Sequence, residues 1–166
     1  MSERSGAGSE GRVHRLNVSG GGVPKTPVAG ARVTREGIAG DVQGDRRYHG
    51  GPERAVSLFS LDVIVRLREE GHPIGPGSSG ENVTVEGLDW TRVVPGARLV
   101  FEGGVVLEVA SYCVPCGKIR PSFAGGEIRR IDQRDHPGES RVYARVVSEG
   151  ALREGEAVRL EDAPRG

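Results

Sequence analysis

Short apolar runs, many rich in valine and separated by glycine, recur along the whole chain. Val13–Val18 reads as a first strand, Ala31–Thr34 as a second short one, and Arg54–Phe59 as a buried strand. Asn82–Glu86 alternates polar and apolar residues, the pattern of a half-buried strand. Arg98–Glu102 and Val105–Val109 flank Gly103-Gly104, and paired glycines supply the positive φ that a two-residue hairpin turn needs. Val142–Val147 and Ala157–Leu160 read as the last strands. One segment has clear helical spacing: Ser60 as N-cap, Leu61, Ile64 and Val65 on one face, an end near Glu70, and Gly71 at C′. A second, weaker helix is expected over roughly 126–133. Val94–Val100 and Leu152–Leu160 echo one another, each a turn glycine leading into an apolar strand. About eight strands with one or two short helices predict a mostly β barrel or sandwich.

Composition narrows the class. The chain has 166 residues, enough for one domain with a core of its own. Residues 1–10 are polar and read as a disordered tail, leaving a single domain over 11–162. Gly 27 and Pro 10 fit many tight turns without reaching low-complexity levels. Lys plus Arg equals Asp plus Glu at 23 each, which argues against nucleic acid or an anionic membrane as principal partner. No apolar stretch approaches the roughly 20 residues of a membrane helix. The N-terminal segment has no apolar signal region, so the expected compartment is the cytoplasm.

Both cysteines, Cys113 and Cys116, lie in Ser111–Ser122 (SYCVPCGKIRPS). A disulfide there would close a tiny loop and stabilise little. Zinc needs four ligands, and His14, His49, His72 and His136 are scattered, with no second pair at finger-like spacing. A thioredoxin-type couple places its second cysteine in the first turn of a helix, whereas Pro115 precedes Cys116 and Pro121 limits any helix after it. The remaining readings are one reactive thiolate, Cys116, with its pKa lowered by Lys118 and Arg120 nearby, or an inert cysteine beside a solvated lysine. The chain uses 21 Arg and only two Lys, so Lys25 and Lys118 hint at sites that need an ammonium.

Gly44–Val56 is the second dense stretch. It sets Asp45, Arg46, Arg47, His49, Glu53 and Arg54 around Gly50-Gly51. Paired glycines let backbone N–H groups approach a ligand, arginine binds phosphate in a bidentate way, and His49 can exchange a proton near neutral pH. A charged surface turn before a buried strand is the equally open alternative.

Several motifs in order then resemble one family. These are Asn17–Lys25 (NVSGGGVPK), Gly40-Asp41, His49–Val56 (HGGPERAV), Gly80–Thr84 (GENVT) and Pro115–Lys118 (PCGK). Over about residues 12–160 the chain is similar to the stand-alone MOSC domains, named for the molybdenum cofactor sulfurase C-terminal domain. The resemblance implies a mostly β, MOSC-type β-barrel and a bound molybdenum cofactor (molybdopterin). It implies that Cys116 is the family's motif cysteine, a molybdenum ligand in some relatives, which reduce N-hydroxylated bases with a redox partner. In sulfurase relatives the domain sits behind a pyridoxal-phosphate cysteine desulfurase and has been thought to carry sulfur; here any such enzyme would be a separate protein. The expected site therefore has Cys116 as metal ligand and catalytic group, and His49 as proton donor. Lys25, Arg47, Gly50, Gly51, Arg54, Asn82 and Lys118 hold the cofactor, with Arg46 the alternative to Arg47. The expected partners are a small-molecule substrate and a separate redox partner or cysteine desulfurase, with oligomeric state open. A persulfide carrier on Cys116 and a non-catalytic cofactor-delivery module are the alternatives.

Overall fold

The computed structural model describes residues 8–19, 23–41 and 51–164. Its strands are β1 (Glu10–Val18), β2 (Thr26–Val28), β3 (Gly30–Thr34), β4 (Gly37–Ile38), β5 (Val56–Ser60) and β6 (Val83–Glu86). They continue with β7 (Arg98–Phe101), β8 (Val106–Tyr112), β9 (Val142–Ser148), β10 (Gly150–Arg153) and β11 (Ala157–Glu161). Among the described residues one α-helix, α1 (Leu61–Glu69), comes directly after β5. The main sheet runs β11-β7-β8-β9-β5-β6-β1-β2, and β11 also pairs with β1, so seven strands close into a barrel with β2 appended. Closure removes the free edges that would otherwise template pairing with another chain. Strands β10, β3 and β4 form a small second sheet. The mostly β barrel expected from the sequence is what the structure shows.

The burial pattern explains the barrel. In β11 the residues alternate, with Val158 and Leu160 buried and their neighbours exposed, so one face meets the core and the other water. In β5 all five residues are buried, because β6 and β9 flank it and α1 packs on it. The echoing segments, now β7 and β11, pair antiparallel as neighbours.

α1 begins as the sequence predicts: the Ser60 hydroxyl accepts the Val63 N–H at 3.2 Å. Ser60→Ala is expected to cost about 1 kcal/mol, read as a lower urea midpoint with an unchanged slope. The buried face is Val63, Ile64 and Leu67; Val65 is exposed, because it lies on the opposite side of the turn from Val63.

Other expectations need correction. The β7–β8 hairpin has a three-residue loop, 102–104, since Phe101 N–H donates to the Val105 carbonyl and only Gly104 takes positive φ, +106°. The helix expected over 126–133 is two 3₁₀ turns, Ala124–Gly126 and Ile128–Ile131, because Gly125 and Gly126 both have positive φ. β6 is buried on both faces, Thr84 included, since its hydroxyl is satisfied internally. Strands β2, β4 and β10 were not legible, being too short to show alternation. Among the described residues no helix is long and apolar enough to cross a membrane.

Candidate functional site

A row of polar residues crosses four strands of the barrel, β1, β5, β9 and β8, and includes the residue that leads into β6. Asn17 on β1 donates its N–H to the carbonyl of Asn82, just before β6, at 2.7 Å. Asn82 N–H donates in turn to the Ser57 carbonyl on β5 at 2.9 Å. Ser57 is in register with Tyr143 on β9, and Tyr143 with Ser111 on β8. Polar side chains can occupy such interior positions only if they bond to one another.

The bonds are specific. The Asn82 carboxamide oxygen accepts from Ser57 N–H at 3.0 Å and from its hydroxyl at 3.2 Å. Its NH₂ donates to Asp41 at 2.9 Å. Asp41 accepts Lys25 Nζ with both oxygens, at 2.7 and 2.9 Å, and the Ser19 N–H at 3.0 Å. Lys25 and Asp41 side chains are only 10% and 4% exposed, so this is a nearly dry ion pair. Glu81 is fully buried and accepts from Gly77 N–H, the Ser79 hydroxyl and the Thr84 hydroxyl at 2.8–2.9 Å. Gly77 must be glycine: its φ is +80°, and a Cβ would sit 2.7 Å from the Lys25 carbonyl.

The two cysteines have different surroundings. Cys113 is buried; its N–H donates to the Arg141 carbonyl at 2.9 Å. Burial raises its thiol from 9.0 to about 11, against the pull of Arg141 and a hydrogen bond with Tyr143. Cys116 is half-buried and precedes the 3₁₀ turn Gly117–Ser122. That turn is anchored by buried Ile119, by Ser122 hydroxyl donating to Ser78 at 2.9 Å, and by Ala124 N–H donating to His72 Nδ1 at 3.0 Å. Phe123 meets the His72 ring edge-on at 5.4 Å. The loop is thus fixed at Cys113 and beyond Ile119, and it presents Val114, Gly117 and Lys118 outward. A cleft of about 470 Å³ flanks it, its apolar lining from Val114, Pro115 and Ile128 and its charged lining from Arg129 with Asp135 and Arg134 with Asp132.

A thiol held neutral inside the protein reacts slowly. Iodoacetamide at pH 8 is expected to label Cys116 and spare Cys113 until the protein unfolds, read by peptide mass. Because the folded Cys113 pKa lies above the unfolded one, its stabilising contribution is complete below pH 9 and is lost as pH rises towards 11. Global stability should fall across that window, and fall less in Cys113→Ala.

Arg54 ends the 3₁₀ turn Pro52–Arg54 and lies over the Tyr143 ring at 5.5 Å. It is in electrostatic range of the Cys113 sulfur, as are Arg141 and Glu81. The structure therefore brings Arg54 to the cysteine loop, and it joins Lys25 and Asn82 in the polar row. Gly51 is exposed with φ +94°, so its backbone demands glycine although nothing crowds it. Lys118 is exposed. Arg46, Arg47, His49 and Gly50 lie outside the described residues. Asn82 and Lys25 spend their polar atoms on the internal network.

Sequence reasoning passed over Ser57, Tyr143 and Arg141, and it quoted Asp41, Glu81 and Thr84 only as parts of motifs. Ser57 and Thr84 carried a usable signal, since hydroxyls inside otherwise apolar strands need internal partners. Arg141 had none, because arginine is this chain's common cation. Among the described residues no three His, Cys, Asp or Glu side chains are grouped to hold a metal.

Comparison with known proteins agrees with the barrel. The chain is 31% identical over 142 residues to the uncharacterized protein YflK of Bacillus subtilis (strain 168), covering 84% of this chain and 62% of that one. It is 26% identical over 106 residues to protein YiiM of Escherichia coli (strain K12), covering 61% and 46%. It thus spans less than two thirds of the length of either relative. The crystal structure of YiiM from Geobacillus stearothermophilus superimposes with a TM-score of 0.67 at 25% identity, over 92% of this chain and 75% of that one. The YuaD protein from Bacillus subtilis gives 0.69 at 17%, over 93% and 97%, a likeness of fold alone. The MOSC domain model matches residues 45–159, well over half the sequence, and the chain belongs to the MOSC domain family.

Proposed function

We propose that this protein binds a molybdenum cofactor through Cys116 and reduces N-hydroxylated small molecules. The family is associated with molybdenum cofactor binding, which supplies the class of cofactor. The observation that carries the residue-level reading is the contrast between the two thiols. Cys116 sits half-buried on a loop anchored on both sides, while Cys113 is buried and held neutral. A thiolate is a soft ligand and suits a sulfur-rich metal centre. The donor set in the described residues fits such a group: one available thiol, Arg54 near the loop, and Lys118 exposed beside Cys116.

In this reading Cys116 holds the metal. Arg54 and Arg47, with the Gly50-Gly51 backbone, take the pterin phosphate. Lys118 offsets anionic charge at the loop. Lys25 and Asn82 contribute from the polar row, fixing Asp41 and the start of β6. The cofactor when bound supplies two-electron redox chemistry at a metal. The overall conversion balances as R–NHOH plus two electrons and two protons giving R–NH₂ and water. The N–O bond breaks, and a separate redox protein supplies the electrons. His49 is the proposed proton donor to the departing oxygen. The mixed cleft beside Val114 and Ile128 offers an apolar wall for a planar base, with the Arg129–Asp135 and Arg134–Asp132 ion pairs also lining it.

The test is turnover. Protein loaded with molybdenum cofactor and given a reduced low-potential dye is expected to convert an N-hydroxylated purine or pyrimidine to its amine, monitored by chromatography. Loaded protein that consumes no such compound would set the reductase reading aside and leave a cofactor-binding module.

A further inference from the structure

We infer that the Arg141 guanidinium is an oxyanion-binding group of this site, taking a phosphate-class anion beside the Cys113–Cys116 loop. The inference rests on the cofactor-site reading only for the identity of the anion's owner.

Arg141 is 8% exposed and precedes β9. A guanidinium has five N–H donors in a planar fork. Arg141 uses one nitrogen, Nη1, which donates to the Ser79 carbonyl at 2.6 Å. Its Nε is buried without any hydrogen-bond partner. Among the described residues it forms an ion pair with no carboxylate. A buried cation in that state is costly unless an anion completes it.

Neither buried carboxylate of the polar layer completes it. Asp41 is occupied by Lys25, Asn82 and Ser19. Glu81 lies in range of the Cys113 sulfur, as Arg141 does, but its oxygens already accept three hydrogen bonds. Lys25, Asp41 and Glu81 are thus all engaged, and Arg141 stands out among the ionic groups of the buried polar layer. Arg54 places a second positive charge in electrostatic range of the same sulfur. The place matters as much as the charge. Arg141 holds the Cys113 N–H with its own carbonyl, so an anion on its side chain would lie against the root of the loop that carries Cys116. A planar fork with free donors suits a tetrahedral oxyanion through two parallel bonds.

The experiment uses inorganic phosphate as probe and the protein prepared without molybdenum. The thermal midpoint is measured in rising potassium phosphate against potassium chloride of equal ionic strength. Wild type is expected to gain stability with phosphate, as linkage requires for a ligand of the folded state. Arg141→Lys keeps the charge and loses the fork, and it should need about tenfold more phosphate for the same rise. Arg141→Gln should show no phosphate-specific rise. Arg153→Gln, on exposed β10, should respond as wild type does. If Arg141→Gln does not fold, Arg141→Lys decides alone. No phosphate effect in wild type, or an unchanged effect in Arg141→Lys, would overturn the assignment.

Repeating the titration on molybdenum-loaded protein separates two sources. Loss of the phosphate response there assigns the anion to the cofactor's own phosphate. A retained response assigns it to a phosphorylated substrate. If the protein never takes up molybdenum but the Arg141-dependent response remains, the cofactor reading has failed and the anion site stands.

Discussion

Cys116→Ser is expected to abolish reduction of N-hydroxylated compounds while leaving stability within about 0.5 kcal/mol of wild type. The two halves of that result test different things. Cys116 is half-buried, is anchored by its backbone, and accepts Ile119 N–H through its carbonyl at 3.2 Å. None of those features needs sulfur, so the loop should keep its shape. A serine hydroxyl is a hard and weakly acidic donor, and it replaces a soft thiolate poorly at a sulfur-rich metal. Activity should therefore vanish without unfolding. Cys113→Ser should behave in the opposite way. It places a hydroxyl at a buried position next to Tyr143 and should lower stability before it lowers turnover. Full activity in Cys116→Ser would remove this residue from the chemistry. Total loss in Cys113→Ser with unchanged stability would shift the role to the buried thiol.

Asp41→Ala is expected to be the most destabilising single change in the polar layer, at about 3–5 kcal/mol. The substitution strands three donors at once: the Lys25 ammonium, the Asn82 carboxamide and the Ser19 N–H. The Lys25 side chain is 10% exposed, so water cannot fully take over. Asp162→Ala is the control. Asp162 also pairs bidentately, with Arg92, but it is 64% exposed and salt and water screen it. Its removal should leave the urea midpoint unchanged. Equal midpoints for the two variants would mean that the buried network contributes no more than a surface ion pair.

The barrel was legible because its strands alternate or are mostly apolar, and glycines mark the turns. α1 was legible through its cap, Ser60, and through Gly71. The extra strands β2 and β4 were not, since three- and two-residue strands owe their existence to the neighbours that pair with them. The site divided in a similar way. Cys116 and Arg54 could be singled out as candidates because they stand in short motifs with visible chemistry. The role of Glu81 comes from contacts that only the folded chain creates, whereas Ser57 and Thr84 carried the signal of hydroxyls in otherwise apolar strands, which went unused. Arg141 lies 62 residues from the Ser79 carbonyl it binds, and no local pattern separates it from the other arginines.

Metal content decides whether Cys116 holds a molybdenum cofactor. Protein expressed with molybdate would be analysed for molybdenum and for releasable pterin, in wild type and in Cys116→Ser. Wild type is expected to carry near-stoichiometric molybdenum with pterin, and the variant neither. A persulfide on Cys116 with no molybdenum in wild type, or equal molybdenum in both proteins, would contradict that role for Cys116.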